Sequence, residues 1–286
     1  MNLQLTYEIN IMKKISDNDS KLFSIKNKAI AIIGATGILG TQYVKFLSSK
    51  GAKVIIGDID YKKCKILSEE MNKQGFSTIP IEVNNANQLS IEDFFNAIKK
   101  EVGSLEILIN NAQVKPPGFY APFEKYNLET LNEVLTGNLS GVAIACKEAC
   151  KLFNKSGKGV IVNIASIYGL CAPDQRIYDN TKNIYYPDEK FSSPVSYAIS
   201  KAGIIQLTKY LSSYYREKKI RINCLTPGGV MDNHDKNFIE QYSFRTTIGR
   251  MADKDEYNGA ILFLCSNASS YMNGSNLVVD GGWSSI

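Results

Sequence analysis

Hydrophobic and polar residues alternate along the chain in two kinds of segment. Short apolar runs predict buried β-strands at residues 29–33, 53–56, 78–83, 105–109, 159–164, 220–225 and 276–279. Longer amphipathic segments between them predict α-helices at residues 37–50, 62–74, about 91–102, about 129–154, about 194–217 and 255–266. Strands that alternate with helices of this length are typical of βαβ units. The pattern therefore predicts an α/β fold, with a doubly wound parallel sheet covered by helices on both faces.

The first part of the chain does not share this pattern. Residues 1–26 are polar with weak periodicity, so we expect a flexible N-terminal leader. The remaining residues, 27–286, match the length of about 250 residues that α/β folds often reach as one domain. The sequence therefore predicts a single domain after the leader.

Composition and charge exclude several classes of protein. Hydrophobic residues make up 44% of the chain and charged residues 21%, which is ordinary for a globular protein and excludes a disordered or collagen-like chain. The sequence contains no run of about 18 uncharged apolar residues, so we expect no membrane helix. The residues after Lys13 and Lys14 are polar, so we expect no signal peptide. The formal charge of +5 is spread along the chain, so neither a membrane nor a nucleic acid is an expected partner.

The cysteines argue against disulfides and metal. The six cysteines are scattered without a CxxC pair, and His234 is the sole histidine. We therefore expect no metal site, and the cytoplasm is the expected compartment.

A glycine-rich turn joins the first strand to the first helix. Its glycines, Gly34, Gly37 and Gly40, have the spacing GxxGxxG. Glycine permits a tight turn and lets the backbone approach a pyrophosphate, while the helix N-terminus offers unpaired N–H groups. The motif alone also fits an ordinary tight βα turn.

Asp58, at the end of the second strand, strengthens the interpretation of that turn as a dinucleotide site. A carboxylate there accepts hydrogen bonds from an adenosine ribose and repels a 2′-phosphate, and no arginine lies nearby in the sequence. We therefore expect NAD. NADP is less favoured but stays open, because Lys62 and Lys63 could bind a 2′-phosphate. Asp58 could instead cap the following helix, although Asp60 can serve that purpose alone.

A tyrosine and a lysine share one face of a predicted helix. Tyr197 and Lys201 are at i and i+4. A nearby ammonium lowers the pKa of a phenol and prepares it for acid–base catalysis, although a YxxxK pair is also common on protein surfaces. Ser166 and Asn111 follow the ends of two predicted strands, which meet at the edge where open α/β sheets bind ligands.

Together these residues make the chain resemble the short-chain dehydrogenase/reductase family over about residues 28–283. The resemblance also rests on Asn138, on Pro227-Gly228 and on Val279-Asp280-Gly281-Gly282. It implies a Rossmann-type fold, with Tyr197 as the catalytic acid/base. Lys201 would lower the pKa of Tyr197, Ser166 would orient the substrate, and Asn138 would hold a water linked to Lys201. The expected cofactor-binding residues are Gly34, Thr36, Gly37, Ile38, Gly40, Asp58, Ile59, Val83, Asn84, Asn111, Ala112, Tyr197, Lys201, Pro227, Gly228 and Val230.

The chain departs from the family pattern in its glycine spacing, which is more typical of the extended branch. Gln113 replaces a usual glycine, and Asp232 stands near the position of a usual threonine. The extended branch adds a substrate domain that needs more chain than is present. We therefore expect the short, single-domain branch.

Residues 170–194 form a predicted loop of about 25 residues, far longer than the usual 2–6. Such a loop is either functional or a surface insertion, and its ends adjoin Ser166 and Tyr197. Its polar residues favour a small polar substrate, a sugar or sugar phosphate, and the chain resembles dehydrogenases of bacterial surface-sugar and flagellin-modification pathways. The candidate substrate residues are Gln113, Tyr168, Arg176 and Tyr178. Three arginines could each bind a substrate phosphate or instead form a surface ion pair: Arg176, Arg245 and Arg250.

Three functions remain open from the sequence. The first is an NAD(P)-dependent oxidoreductase acting on a secondary alcohol or ketone. The second is a nucleotide-sugar epimerase or dehydratase with tightly bound NAD, which the glycine spacing favours. The third is a non-catalytic dinucleotide-binding sensor or scaffold, which the altered Gln113 permits.

Two long predicted helices bear on assembly. Residues 129–154 and 194–217 both carry extended apolar faces, which pack on the sheet or between subunits. In the family the equivalent pair often forms a dimer interface, so the resemblance implies a homodimer or homotetramer.

Overall fold

The computed structural model describes residues 21–286, and the strands of this part of the chain form one sheet. They are β1 Ala29–Ile33, β2 Lys53–Asp58, β3 Ser77–Glu82, β4 Ile107–Asn110, β5 Gly159–Ile164, β6 Ile220–Pro227 and β7 Asn276–Val279. Their order across the sheet is β3-β2-β1-β4-β5-β6-β7, and every adjacent pair is parallel. The strand order reverses direction between β1 and β4, where open sheets of this kind form a ligand crevice.

Helices cover both faces of the sheet. They are α1 Ile38–Ser49, α2 Tyr61–Lys73, α3 Gln88–Glu101, α4 Leu128–Leu135, α5 Gly141–Ser156, α6 Val195–Tyr214, α7 Lys236–Phe244 and α8 Asn258–Cys265. The predicted doubly wound α/β fold, a single Rossmann-type domain, is confirmed.

The core has one apolar layer on each side of the sheet. Alternate residues of β1 point to opposite layers: Ala31 and Ile33 pack with residues of α3, α5 and α6, whereas Ile30 and Ile32 pack with residues of α1, α2 and α8. This is the two-residue alternation of a strand. Both layers are apolar because both faces of the sheet are covered, which explains why the strands read as continuous hydrophobic runs.

The long helix predicted over residues 129–154 is interrupted. A π-helical segment, Thr136–Ser140, separates α4 from α5. Polar groups of this segment bond outside the helix: Asn138 Oδ1 accepts from the backbone N–H of Val114 at 2.6 Å, and the Gly137 carbonyl accepts from Asn85 Nδ2 at 2.6 Å. Segments of this kind occur often at functional sites, and no periodicity in the sequence distinguishes them from α-helix.

One helix has no counterpart in the prediction. Helix α7 is nine residues long and buries only Phe238 and Tyr242, so its apolar pattern is too short to stand out.

The end of the predicted N-terminal leader packs into the core. Residues 1–20 of the leader lie outside the described residues, whereas Ile25, which we expected to belong to the flexible leader, is 1% exposed and lies in the core. Segment 170–194 contributes Tyr178 and Phe191 to a buried aromatic cluster with Phe238 and Trp283.

Within residues 21–286 we find no helix with the length and hydropathy to cross a bilayer.

Candidate active site

A cleft of about 570 Å³ opens at the carboxyl edge of the sheet. It is walled by residues that follow β1, β2, β4, β5 and β6, and by segment 170–194. The predicted site residues that line it are Gly34, Thr36, Gly37, Ile38, Asp58, Ile59, Val83, Asn84, Asn111, Ala112, Gln113, Ser166, Tyr168, Tyr178, Tyr197, Lys201, Pro227, Gly228 and Val230. Gly40, Asn138 and Arg176 do not line it.

The glycine turn after β1 is held against the end of β4. Gly34 has a φ of +82°, and a Cβ there would lie 2.5 Å from the backbone of Ala112. The Asn111 side chain donates from Nδ2 to the Gly34 carbonyl at 2.8 Å, so it fixes the turn as well as lining the cleft. A Cβ at Gly40 would overlap the same carbonyl. Gly40 therefore acts through the packing of α1 on the turn and not through contact with a ligand.

The N-terminus of α1 faces the cleft without a capping side chain. Gly37 is the N-cap residue, no side chain accepts from the first turn, and no acidic residue lies in that turn. The free N–H groups and the helix dipole together favour an anion at this point.

Asp58 lies beside the turn and does not cap α2. Its Oδ2 accepts from the backbone N–H of Thr36 at 2.9 Å. Asp60 is the N-cap, accepting from the Lys63 N–H at 3.0 Å, and its carboxylate also pairs with Lys63 Nζ at 3.0 Å. The alternative that Asp58 serves only as a helix cap is therefore excluded, and Lys63, which lines the cleft, is already paired with a carboxylate.

At the other end of the cleft, Tyr197 and Ser166 come together. Tyr197 lies in the first turn of α6, and burial raises its pKa, with the neighbouring Ser166 hydroxyl acting in the opposite direction. Burial therefore outweighs the lowering that we expected from Lys201. A phenol with a raised pKa is a weaker acid, but it is protonated at neutral pH, which is the form that a proton donor needs.

Lys201 lies one helical turn after Tyr197 and is 4% exposed. Its Nζ donates to the Ile164 carbonyl at 2.9 Å and lies 5.7 Å from the centre of the Tyr197 ring. Burial lowers the pKa of the ammonium to about 8, because an apolar environment disfavours charge. The group is still mostly protonated at pH 7, where it can stabilise negative charge on the phenol oxygen.

Asn138 lies behind the cleft in the π-helical segment. Its Oδ1 accepts from the Val114 N–H, whereas its buried Nδ2 has no partner among the described residues. A water relay from Asn138 to Lys201 stays a prediction.

A buried polar chain links the strands to α6. Asn110 Nδ2 donates to Asn163 Oδ1 at 2.8 Å, and Asn163 Nδ2 donates to Thr208 Oγ1 at 2.9 Å. These bonds join β4, β5 and the helix that carries Tyr197, so they fix the position of the helix relative to the sheet edge.

The candidate arginines do not reach the cleft. Arg176 pairs with Asp174 at 2.7 Å and its side chain is 82% exposed, which contradicts its prediction as a substrate residue. Arg245 pairs with the same carboxylate at 3.0 Å, and Arg250 pairs with Glu256 at 2.7 Å. All three are ion pairs within the protein.

Several cleft residues were not predicted. Lys115 and His234 line the reacting end, together with Phe238, Tyr242 and Met251. The sequence offered one signal, since His234 is the sole histidine, but its distance along the chain from Ser166 and Tyr197 hid its location. In residues 21–286 no group of three His, Cys, Asp or Glu side chains is placed to hold a metal ion.

A crevice for a dinucleotide that ends at a tyrosine, a serine and a lysine defines the site of a Rossmann-type oxidoreductase. The chain belongs to the short-chain dehydrogenase family: the short chain dehydrogenase model matches residues 28–183, and the model described as enoyl-(acyl carrier protein) reductase matches residues 188–284. The family identification made from the sequence is confirmed, and the protein is an enzyme of this class.

Individual relatives cover nearly the whole chain. Post-translational flagellin modification protein A of Campylobacter coli is 30% identical over 91% of this chain and 99% of its own length. Among solved structures, a short chain dehydrogenase from Leptospira borgpetersenii with bound NAD+ is 33% identical, with a TM-score of 0.76 over 91% of this chain and 94% of that chain. A gluconate 5-dehydrogenase from Burkholderia cenocepacia in complex with NADP and tartrate is 25% identical, with a TM-score of 0.83 over 94% of this chain and 99% of that chain.

The cleft fits a nicotinamide dinucleotide on its own chemistry. Gly34 leaves a space at the turn that a Cβ would fill, and the uncapped start of α1 offers N–H donors for a pyrophosphate. Asp58 stands at one end for a ribose, and Tyr197 and Lys201 stand at the other.

Gly34→Ala tests the close contact at the turn, with Gly75→Ala as its matched control. Both glycines have positive φ, but nothing lies within 4 Å of a Cβ at Gly75. We expect Gly75→Ala to cost about 1–2 kcal/mol for the backbone conformation alone. Gly34→Ala should cost about 1–3 kcal/mol more because of the overlap with Ala112. Chemical denaturation of both variants measures the difference, and equal losses would contradict the contact.

Proposed function

We propose that the protein is an NAD-dependent oxidoreductase that transfers a hydride between nicotinamide and a secondary alcohol or ketone of a polar, carbohydrate-like substrate. The observation that carries the proposal is one continuous cleft, with Gly34 and Asp58 at its dinucleotide end and Ser166, Tyr197 and Lys201 at its reacting end.

The reacting residues divide the work of a carbonyl reduction. Bound nicotinamide supplies the hydride. Tyr197, whose pKa is raised, donates its proton to the carbonyl oxygen, and Ser166 holds that oxygen by a hydrogen bond. The buried Lys201 ammonium stabilises the phenolate left behind, and the reverse steps oxidise an alcohol.

The preference for NAD rests on Asp58. Its carboxylate is fixed by the Thr36 N–H at the end of β2, and Lys63 is paired with Asp60. A fixed negative charge at this place favours a free ribose 2′-hydroxyl over a 2′-phosphate. Related structures contain NAD+ or NADP, so the choice depends on this carboxylate in this chain.

A polar substrate is supported by the hydroxyl groups around Tyr197. The hydroxyls of Tyr168 and Tyr178 bond to each other at 2.9 Å, and the Tyr168 ring lies 6.5 Å from the Tyr197 ring. Gln113 and Tyr185 add further polar groups. The related gluconate 5-dehydrogenase was solved in complex with tartrate. Tartrate is a polyhydroxy acid, so it carries the hydroxyl groups expected of a carbohydrate-like substrate.

Tyr197→Phe removes the proposed proton donor. We expect turnover to fall about 10²–10⁴-fold because the proton transfer loses its acid. Absorbance of NADH with gluconate and sorbitol as substrates measures this, and Tyr271→Phe, on a fully exposed tyrosine, is the control. Full turnover by Tyr197→Phe would contradict the mechanism.

Asp58→Ala tests the cofactor preference. We expect NADH affinity to fall about 10-fold, since a charged hydrogen-bond acceptor is lost, and the ratio of NADH to NADPH affinity to fall with it. Asp60→Ala is the matched control because it removes only the cap of α2, at a cost of about 1 kcal/mol in stability. Nicotinamide fluorescence titration gives both affinities, and an unchanged ratio would exclude Asp58 as the determinant.

We also propose that the protein forms a homodimer or homotetramer through α4 and α6. Val134 of α4 and Ile204 of α6 are buried in the core, whereas Leu128, Ile199, Tyr210 and Tyr214 are 47–69% exposed. Such exposed apolar and aromatic groups on two helices that contact each other are typical of subunit interfaces.

Sedimentation at micromolar concentration tests the assembly. We expect a dimer or tetramer for the native chain and a smaller species for Tyr214→Glu, because a charge would be buried at the interface. Ile66→Glu, on the exposed side of α2, should leave the assembly unchanged. A monomeric native chain would overturn the proposal.

A further inference from the structure

Lys115 carries a positive charge at the reacting end of the cleft. It follows the end of β4, and its Nζ lies 3.8 Å from the centre of the Tyr185 ring. The Tyr186 hydroxyl donates to the Lys115 carbonyl at 2.7 Å. Segment 170–194 therefore holds both the backbone and the side chain of this lysine in the cleft wall.

The ammonium of Lys115 contacts the Tyr185 ring but has no anionic or hydrogen-bonding partner in the described part of the chain. It takes part in no ion pair there, and Asp232, the acidic group that acts on it, pairs with Lys254 at 2.9 Å. Burial lowers the pKa of Lys115 to about 8, which reflects the cost of holding the charge away from water. An anion from the substrate would offset that cost.

His234 stands near the same aromatic ring. The His234 and Tyr185 rings are 6.3 Å apart, and the buried Nδ1 of His234 has no hydrogen-bond partner in residues 21–286. Burial lowers the pKa of His234, and Lys115 acts in the same direction, whereas Asp232 and the Val230 backbone act in the opposite direction. The net lowering favours the neutral imidazole at pH 7, which has one N–H donor. A neutral donor that shares the Tyr185 ring with an ammonium suits an acceptor with several oxygens.

The dinucleotide has its own anion site elsewhere. Its phosphates are accounted for by the N-terminus of α1, after the turn at Gly34. Lys115 instead contacts segment 170–194, which joins Ser166 to Tyr197, so a group bound there belongs to the molecule that reacts. The arginines that the sequence offered for this purpose are paired at other places.

We propose that Lys115 and His234 form an anion subsite that binds a carboxylate or phosphate of the substrate and so selects hydroxy acids or hydroxyalkyl phosphates over uncharged polyols. This inference rests on the proposed function, because it names the substrate class of the same cleft. Both anions present oxygen atoms to a cation and an N–H donor, which is the chemistry that the two side chains share.

The test uses three six-carbon probes that differ at one end of the molecule. Gluconate carries a carboxylate, sorbitol 6-phosphate carries a phosphate, and sorbitol carries neither. We expect Lys115→Met to lower kcat/KM for the preferred anionic probe about 10- to 100-fold, as the loss of a charged hydrogen bond does, and to leave sorbitol unchanged. The preferred anionic probe of the native enzyme distinguishes carboxylate from phosphate.

Controls separate charge from folding. Lys115→Arg should restore most of the loss, and Lys182→Met, on an exposed lysine of the same segment, should behave as the native enzyme. NADH affinity by fluorescence should be unchanged in Lys115→Met, which shows that the fold and the dinucleotide end are intact. Equal loss with sorbitol, or no loss with either anion, would overturn the subsite.

Calorimetry on the NADH complex keeps the two proposals apart. Binding of gluconate or sorbitol 6-phosphate that Lys115→Met weakens, without turnover of any probe, would support the subsite and contradict the proposed reaction. Turnover of the anionic probes that does not depend on Lys115 would support the reaction and contradict the subsite. Absence of both turnover and anion binding would overturn the subsite.

Discussion

The parallel register of the strands brings the site together. Hydrogen bonding pairs Ile33 with both Gly57 and Asn110, and Asn110 with Asn163, so β1, β2, β4 and β5 all end at one edge. Each strand therefore delivers its next residues to the same crevice. If one strand ran antiparallel, its functional residues would lie at the opposite edge of the sheet.

Removal of water shapes the chemistry at one end of that crevice. The same burial raises the pKa of Tyr197 and lowers that of Lys201, because an apolar environment disfavours the charged form of each side chain. Hydrogen bonds compensate part of the cost: Lys201 donates to the Ile164 carbonyl, and the chain from Asn110 to Thr208 holds α6 in place. Tyr197 and Lys201 are therefore held in fixed positions at the edge of the sheet, in surroundings that disfavour their charged forms.

Segment 170–194 completes the reacting end. Its aromatic side chains pack against Phe238 of α7 and, through Tyr168, approach Trp283 near the chain's end. Tyr178 and Tyr185 line the cleft, and Tyr185 contacts Lys115. An aromatic ring under an ammonium holds the charge without neutralising it. The length of the segment therefore has a physical use, since it carries one wall of the cleft.

The sequence by itself determined the sheet, the covering helices, the dinucleotide turn and the Tyr197–Lys201 pair, because these depend on local periodicity and short spacing. It also gave correct alternatives for Asp60 as the cap of α2 and for the arginines as ion pairs. Only the tertiary structure decided that Arg176 turns outward and that Asn138 lies in a π-helical segment. Only it brought Lys115 and His234 to the same ring. These features depend on contacts between residues far apart in the chain. The apolar pattern of one segment depends only on neighbouring residues, so it cannot predict which distant side chain the segment will contact.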